Sequence, residues 1–209
     1  MYTLYSRPGS GSAAVEALLA ECGVAYRIED VPAKADGSVS ADYSKINLRN
    51  EVPTLRLPDD TFMTESAAMM IYLADFHPEA QLAPDVKSVH RPSYLRWMLY
   101  FASSVYASDL RYYYPTRYST EASHADAIKS KAVLAMDRDF SVFAKSFGEG
   151  PYILGSKFSA VDIYAAMLMS WANDFPDLCN RYPKLAALYA AVSCRPKVAP
   201  VWTRNEMPT

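Results

Sequence analysis

Four stretches of the 209-residue chain combine residue types that can bind or activate a ligand. Ser6-Arg7-Pro8-Gly9-Ser10-Gly11-Ser12 sets hydroxyls around a turn that leads into a helix. Asn50-Glu51-Val52-Pro53-Thr54-Leu55 puts an X-Pro bond ahead of a short strand. Met63-Thr64-Glu65-Ser66-Ala67-Ala68 opens a helix with an acid and a hydroxyl. Between residues 106 and 118 stand five tyrosines and two arginines, including Asp109-Leu110-Arg111-Tyr112-Tyr113-Tyr114-Pro115-Thr116-Arg117-Tyr118. Each offers a definite chemistry. An X-Pro bond is where the cis form is cheap, at about 0.5–1 kcal/mol. A cis bond at Val52-Pro53 turns the Val52 N–H and C=O outward, where an extended peptide can pair with them; the alternative is a trans proline entering an edge strand. A helix N-terminus has free N–H groups and partial positive charge, a seat for a carboxylate. Ser66 adds a donor and Glu65 accepts from an ammonium, unless Thr64 and Glu65 only cap the helix.

The elements that must position these residues follow from periodicity. Residues 2–5 form a β-prone run ended by Arg-Pro-Gly. Residues 12–22 read as a helix, with Val15, Leu18, Leu19 and Cys22 on one face and Gly23 as its stop. Residues 26–31 read as a second strand, which makes a βαβ unit with parallel strands. A polar stretch over 33–40 and a short helix near 42–46 follow. Residues 54–57 and 61–63 are strands joined by Pro58-Asp59-Asp60, a hairpin signal. Residues 65–76 close this half as a helix. Residues 77–87, with Pro78 and Pro84, read as a linker. Beyond it the chain is helix and turn: a long aromatic helix over 89–114 stopped by Pro115, then 121–147, 159–173 and 184–193. The helix over 121–147 carries the stripe Ile128, Ala132, Met136, Phe140, Phe143, Phe147. Ser159 and Asp162 form a capping box, with Phe158 placed for a hydrophobic staple. The expected architecture is an α/β domain over 1–76, a linker over 77–87 and an all-α domain over 88–209.

Composition narrows the function. Apolar residues are 51% and charged residues 21%, an ordinary globular balance, and net charge is −2, so nothing attracts nucleic acid. No segment is apolar for ~18 residues, so no membrane span is expected. The three cysteines, Cys22, Cys179 and Cys194, and three histidines, His77, His90 and His124, lack metal spacing. No secretory signal stands at the N-terminus, and free thiols suit a reducing compartment, so a cytoplasmic location and no metal are expected.

NEVPTL followed by MTESAAMMIYL, after a βαβ unit and before a helical half, resembles the glutathione-binding core of the cytosolic glutathione S-transferases, in the family's order and spacing. The resemblance covers nearly the whole chain. It implies a thioredoxin-like N-terminal domain (βαβ-α-ββα), a cis Pro53, and a helical domain lining a second-substrate pocket. It implies glutathione as co-substrate, held by Val52, Pro53, Glu65 and Ser66, with Lys34 and Arg49 toward its glycyl carboxylate. It also implies a homodimer.

The loop at residues 6–12 is most similar to the bacterial beta class, but departs from it. Aligned through Pro8-Gly9 and Gly23, the beta-class cysteine falls on Gly11, and the theta-type serine near Gly9. The beta-class histidine of the long helix falls on Tyr106 and its neighbouring lysine on Ala107. Ser10 and Ser12 flank the gap; either can donate to a thiolate and lower its pKa together with the helix N-terminus. Tyr5 is a third donor, at a strand position suited to packing. Tyr106, Arg111, Tyr113, Tyr114 and Arg117 would line the second pocket, suited to an aromatic acceptor bearing a carboxylate or phenol. The expected activity is transfer of glutathione to a small electrophile. A glutathione-dependent disulfide reductase or peroxidase, and a non-catalytic glutathione-binding or interaction module, are the alternatives.

Overall fold

The structure, a computed structural model, describes residues 1–33 and 39–208. Contacts divide the chain into two units, Met1–Asp85 with Ser193–Thr209, and Val86–Val192.

The first unit is built on β1 (Tyr2–Ser6), α1 (Ser12–Cys22), β2 (Tyr26–Asp30), α2 (Ala41–Ile46), β3 (Thr54–Arg56), β4 (Phe62–Met63) and α3 (Ser66–Phe76). The sheet order is β2-β1-β3-β4. β1 and β2 run parallel, with Ser6 opposite Asp30. β3 runs antiparallel to β1, with Tyr5 opposite Thr54, and β4 antiparallel to β3. This is the thioredoxin-like architecture read from the sequence. Leu4 and Leu55 are fully buried, and α1 is buried along its first eight residues, Ser12 to Leu19. An amphipathic surface helix exposes one face; α1 does not, because elements cover it on more than one side. α1 packs against both α3 and α10 (Ala199–Arg204). Gly23 ends α1 at φ +70, a left-handed conformation that glycine adopts without steric cost.

Two groupings differ from the sequence reading: Ser193–Thr209, though it carries helix α10 (Ala199–Arg204), belongs with the first unit, and so do residues 77–85, read as linker. Ion pairs explain the return. Arg195 donates to both carboxylate oxygens of Glu21 at 2.7 and 2.9 Å. Arg204 donates to Glu16 at 2.9 Å and to Asp30 at 2.6 Å, and Asn205 donates to Glu16 at 3.1 Å. Glu16 is buried, and burial pushes its carboxyl upward against the pull of Asn205 and Arg204. Three elements, α1, β2 and α10, are thereby tied at one end of the sheet.

The second unit contains α4 (Arg91–Tyr100), α5 (Tyr106–Tyr113), α6 (Ala125–Ser146), α7 (Ala160–Ser170), α8 (Phe175–Arg181) and α9, which runs Pro183–Ser193. The single long helix expected over 89–114 is interrupted by a π-helical turn at Phe101–Val105. Such a turn inserts a residue and rotates everything after it to a new face. Trp97, Phe101 and Phe143 form an aromatic core, with ring centroids 4.9 Å apart for Phe101–Phe143 and 5.1 Å for Trp97–Phe143. The α6 stripe packs as expected from Ala132 to Phe143, with Phe147 buried just beyond the helix end. α8 and α10, absent from the sequence reading, each begin with a proline in the first turn, where its missing N–H costs nothing.

The capping box at the start of α7 forms. Asp162 accepts from the Ser159 N–H at 2.8 Å and the Ser159 hydroxyl at 3.0 Å. Its other oxygen accepts from the Ile153 N–H at 2.8 Å, reaching beyond the helix into the loop before it. Phe158 stacks edge-on with Tyr152 of that loop at 5.4 Å. Gly150 gives the loop its bend, at φ +111. A Cβ there would stand 2.7 Å from the Gly155 carbonyl oxygen. We expect Gly150→Ala to cost about 1–3 kcal/mol, measured by denaturant unfolding. An unchanged midpoint would show that the loop relaxes freely.

Candidate functional site

The residues 6–12 form a hydroxyl cluster at the start of α1. Ser6 ends β1 and is fully buried, and the Val31 N–H donates to its carbonyl at 2.8 Å. Arg7 clamps the loop by donating to the Val31 carbonyl at 3.0 Å. Ser12 is fully buried and stands as the first helical residue, one position inside the cap, which is Gly11. Its Oγ lies 2.9 Å from Ser6 Oγ and 2.8 Å from Ser10 Oγ. Ser12 also donates to the Arg7 carbonyl at 3.1 Å, and the Arg7 N–H donates to its Oγ at 3.4 Å. Ser10 is half-buried and donates to the same Arg7 carbonyl at 2.6 Å.

Counting protons orders this cluster. A hydroxyl has one proton to give. With the Ser10 proton on the Arg7 carbonyl, Ser12 can donate to Ser10 and Ser6 to Ser12. If the Ser10 proton is withdrawn, Ser12 replaces it at the same carbonyl. Gly11 at the N-cap has no side chain to cap α1; the Ser12 N–H donates to Ser10 Oγ at 3.4 Å and the Ala13 N–H to the Ser10 carbonyl at 3.0 Å, so the positive end of the helix lies beside the hydroxyls. Tyr5 sits among aromatic rings, 5.7 Å from Tyr43 and 6.3 Å from Phe62.

The Val52-Pro53 peptide bond is cis. The loop before it is braced through Glu51, whose carbonyl accepts from the Tyr43 hydroxyl at 2.6 Å and from Asn47 at 2.7 Å. The side chain of Val52 packs on the cluster of Val31, Val39 and Tyr43. Its backbone N–H and C=O make no hydrogen bond among the described residues. Glu65 is exposed at φ +66 and ψ 100, a strained conformation for a glutamate, and no side chain caps α3. Ser66 follows as the first helical residue and is buried. Arg49 pairs with Glu51 at 2.8 Å on the surface. Lys34 lies outside the described residues.

The tyrosine and arginine run separates into two faces. Tyr106 meets Trp171 edge-on at 5.4 Å, and the Tyr113 hydroxyl donates to the Trp171 carbonyl at 2.9 Å. Asp109, one turn from each tyrosine, is buried, and neither carboxyl oxygen has a hydrogen-bond partner among the described residues. Burial alone holds its carboxyl well above the usual carboxylate range. Arg111 points elsewhere: it donates to the Ala107 carbonyl at 2.8 Å and lies over the Tyr118 ring at 5.1 Å. Arg117 covers the Tyr114 ring at 4.2 Å. Asp109 and Trp171 had no role in the sequence reading. The spacing of Asp109 from Tyr106 and Tyr113, three and four residues, puts it on their face and was the available signal.

The family model described as "Glutathione S-transferase, N-terminal domain" matches residues 12–75, and "Glutathione S-transferase, C-terminal domain" matches residues 108–202. The chain belongs to the glutathione S-transferase family. It is similar to the "Uncharacterized GST-like protein YncG" of Escherichia coli (strain K12), 28% identical over 99% of this chain and 100% of that one. It is also similar to glutathione S-transferase GstA of Escherichia coli O157:H7, 26% identical over 93% of this chain and 94% of the relative. Among solved structures, a glutathione transferase homologue from Sulfitobacter with bound glutathione superimposes with TM-score 0.89 at 27% identity, covering 100% and 99% of the two chains. A ternary complex of BphK, a bacterial GST, superimposes with TM-score 0.84 at 25% identity, over 98% and 100%. A bacterial beta-class enzyme from Sphingomonas chungbukensis does so with TM-score 0.81 at 25% identity, covering 97% and 98%. In this transferase-family chain no described helix is long and apolar enough to cross a membrane.

Proposed function

We propose that the chain activates the thiol of glutathione for attack on a small electrophile with an aromatic part. Glutathione pairs as an extended peptide with the free N–H and C=O of Val52 beside Pro53. Its γ-glutamyl carboxylate takes the start of α3 at Ser66, and its ammonium takes Glu65; Arg49 and Lys34 serve the glycyl carboxylate. Ser10 is the thiolate donor, because it alone of the three clustered serines is partly exposed, while Ser6 and Ser12 are fully buried beneath it. That observation carries the reading. When the Ser10 proton turns from the Arg7 carbonyl to sulfur, Ser12 keeps the carbonyl satisfied. Ser12 is therefore a positioning residue. Tyr106 and Tyr113 offer aromatic faces to the acceptor, and Tyr114, Arg111 and Arg117 lie at the end of the same run. The working form is a homodimer in the cytoplasm.

The test is the pKa of bound glutathione, read from thiolate absorbance against pH. A hydrogen bond to a charged group contributes about 1.5–3 kcal/mol, which is about 1–2 pKa units. Ser10→Ala is expected to raise the bound pKa by that amount and to lower kcat/KM at mildly acidic pH by about 10–100-fold. Ser12→Ala is expected to shift it less. Equal bound pKa values in wild type and Ser10→Ala would remove Ser10 from this role. Glutathione that binds with its free pKa would leave only a binding module.

A further inference from the structure

The second unit holds a groove of about 290 Å³ between the π-helical turn with α5 and the middle of α6. Its walls include Ser104, Ser108, Arg111, Lys131 and Arg138, over a floor containing Ala132. No carboxylate lines it. We propose that this groove is a binding site for a small dianionic oxyanion, the phosphoryl group of free phosphate or of a phosphate monoester. The proposal does not depend on the transfer chemistry above.

The hydroxyls are the first observation. A helical serine ordinarily returns its proton to the carbonyl four residues back. Ser103 does so to Leu99 at 2.7 Å, and Ser130 to Asp126 at 2.8 Å. Ser104 and Ser108 make no such bond, nor any other side-chain hydrogen bond among the described residues. Ser108 is only 4% exposed and lines the groove. The Ser104 and Ser108 hydroxyls therefore have protons to offer an acceptor in the groove.

The cations are the second. Lys131 makes no ion pair among the described residues, so its ammonium is uncommitted. Arg138 spends only Nε, on Asp139 at 2.8 Å, which leaves its terminal nitrogens available. Asp139 is buried; its Oδ1 accepts from Arg138 and from the Tyr100 hydroxyl, while its Oδ2 has no hydrogen-bond partner among the described residues. Arg111 holds its place through Ala107 and Tyr118 and keeps its remaining N–H donors. Three positive groups and two unused hydroxyls around a small cavity suit an acceptor-only ligand of charge −2. The π-helical turn brings Ser103 and Ser104 to this wall, by rotating the helix after Phe101.

The test is calorimetric titration of the full chain with sodium phosphate at low ionic strength, with a phosphate monoester in a parallel titration. A Kd of about 1 mM or tighter is expected, weakened by added salt. Lys131→Gln and Ser108→Ala should each weaken it at least fivefold, with thermal melts showing that both variants stay folded. Lys184→Gln, a surface lysine elsewhere in the unit, should not change it. Equal affinity for the two ligands assigns the free ion; tighter binding of the monoester assigns an organic phosphate. No binding, or equal weakening by Lys131→Gln and Lys184→Gln, overturns the site.

Discussion

Asp162→Ala is expected to remove about 4 kcal/mol of stability and to lower Tm by about 8–16 °C, the largest change of any single substitution considered for this chain. Asp162 is fully buried, and its carboxyl does three tasks at once. It satisfies the Ser159 N–H and hydroxyl at the start of α7, and the Ile153 N–H of the preceding loop. Alanine leaves one buried backbone donor, at Ser159, and one partly buried donor, at Ile153, without acceptors, at about 1–3 kcal/mol each, and loses the cap. α7 is buried from Ala160 to Met169, so a frayed start would unseat core residues. Burial raises the Asp162 carboxyl to about 6, although all three hydrogen bonds favour its charged form. Ser159→Ala removes one hydroxyl and is expected to cost about 1 kcal/mol. Thermal unfolding of the two variants side by side decides the matter; similar small losses would mean that water replaces the carboxylate.

Asp109→Leu is expected to stabilise the chain, and more so at pH 8 than at pH 4.5. Asp109 is buried with both oxygens unpartnered, and burial holds its carboxyl protonated well above the usual range. In the unfolded chain it ionises near 3.9. The unfolded state thus releases a proton that the folded state keeps. Wild-type stability is full below about pH 4 and is lost as pH rises toward the folded value. A leucine of similar volume has no such loss. Replacing a buried, unmatched polar group by an apolar one gains about 1–3 kcal/mol, several degrees in Tm at the higher pH. A Tm difference that does not grow with pH would show that the Asp109 carboxylate is matched by a donor or a cation when folded.

Much of the fold was legible because it rests on local rules. Gly23 stops α1, Pro58-Asp59-Asp60 turns the β3–β4 hairpin, and Ser159 with Asp162 caps α7; each is set within a few residues. The site was legible where backbone chemistry demands a residue type, as at Pro53. It was not legible where partners are distant in sequence. Nothing near Arg204 announces Glu16 and Asp30, more than 170 residues earlier. The π-helical turn at Phe101–Val105 has no proline or glycine to mark it, so the arginines and tyrosines beyond it could not be assigned to faces. Ser6 reads as the first loop residue after a strand over 2–5; only the fold shows that it ends β1 and meets Ser12.

The bridge from Arg204 to Glu16 and Asp30 bears on the order of events during synthesis. Residues 1–85 emerge from the ribosome first, yet two of their acids meet their cation only after the intervening 107 residues, 86–192, have emerged too. Until then Glu16 stands on α1 without Arg204 or Asn205, and the helix face awaiting α10 is bare. The early half is therefore held unfinished, with its sheet made but the end that carries the serine loop unlocked. Assembly of the serine-loop end becomes a late step, gated by the arrival of a segment encoded far downstream.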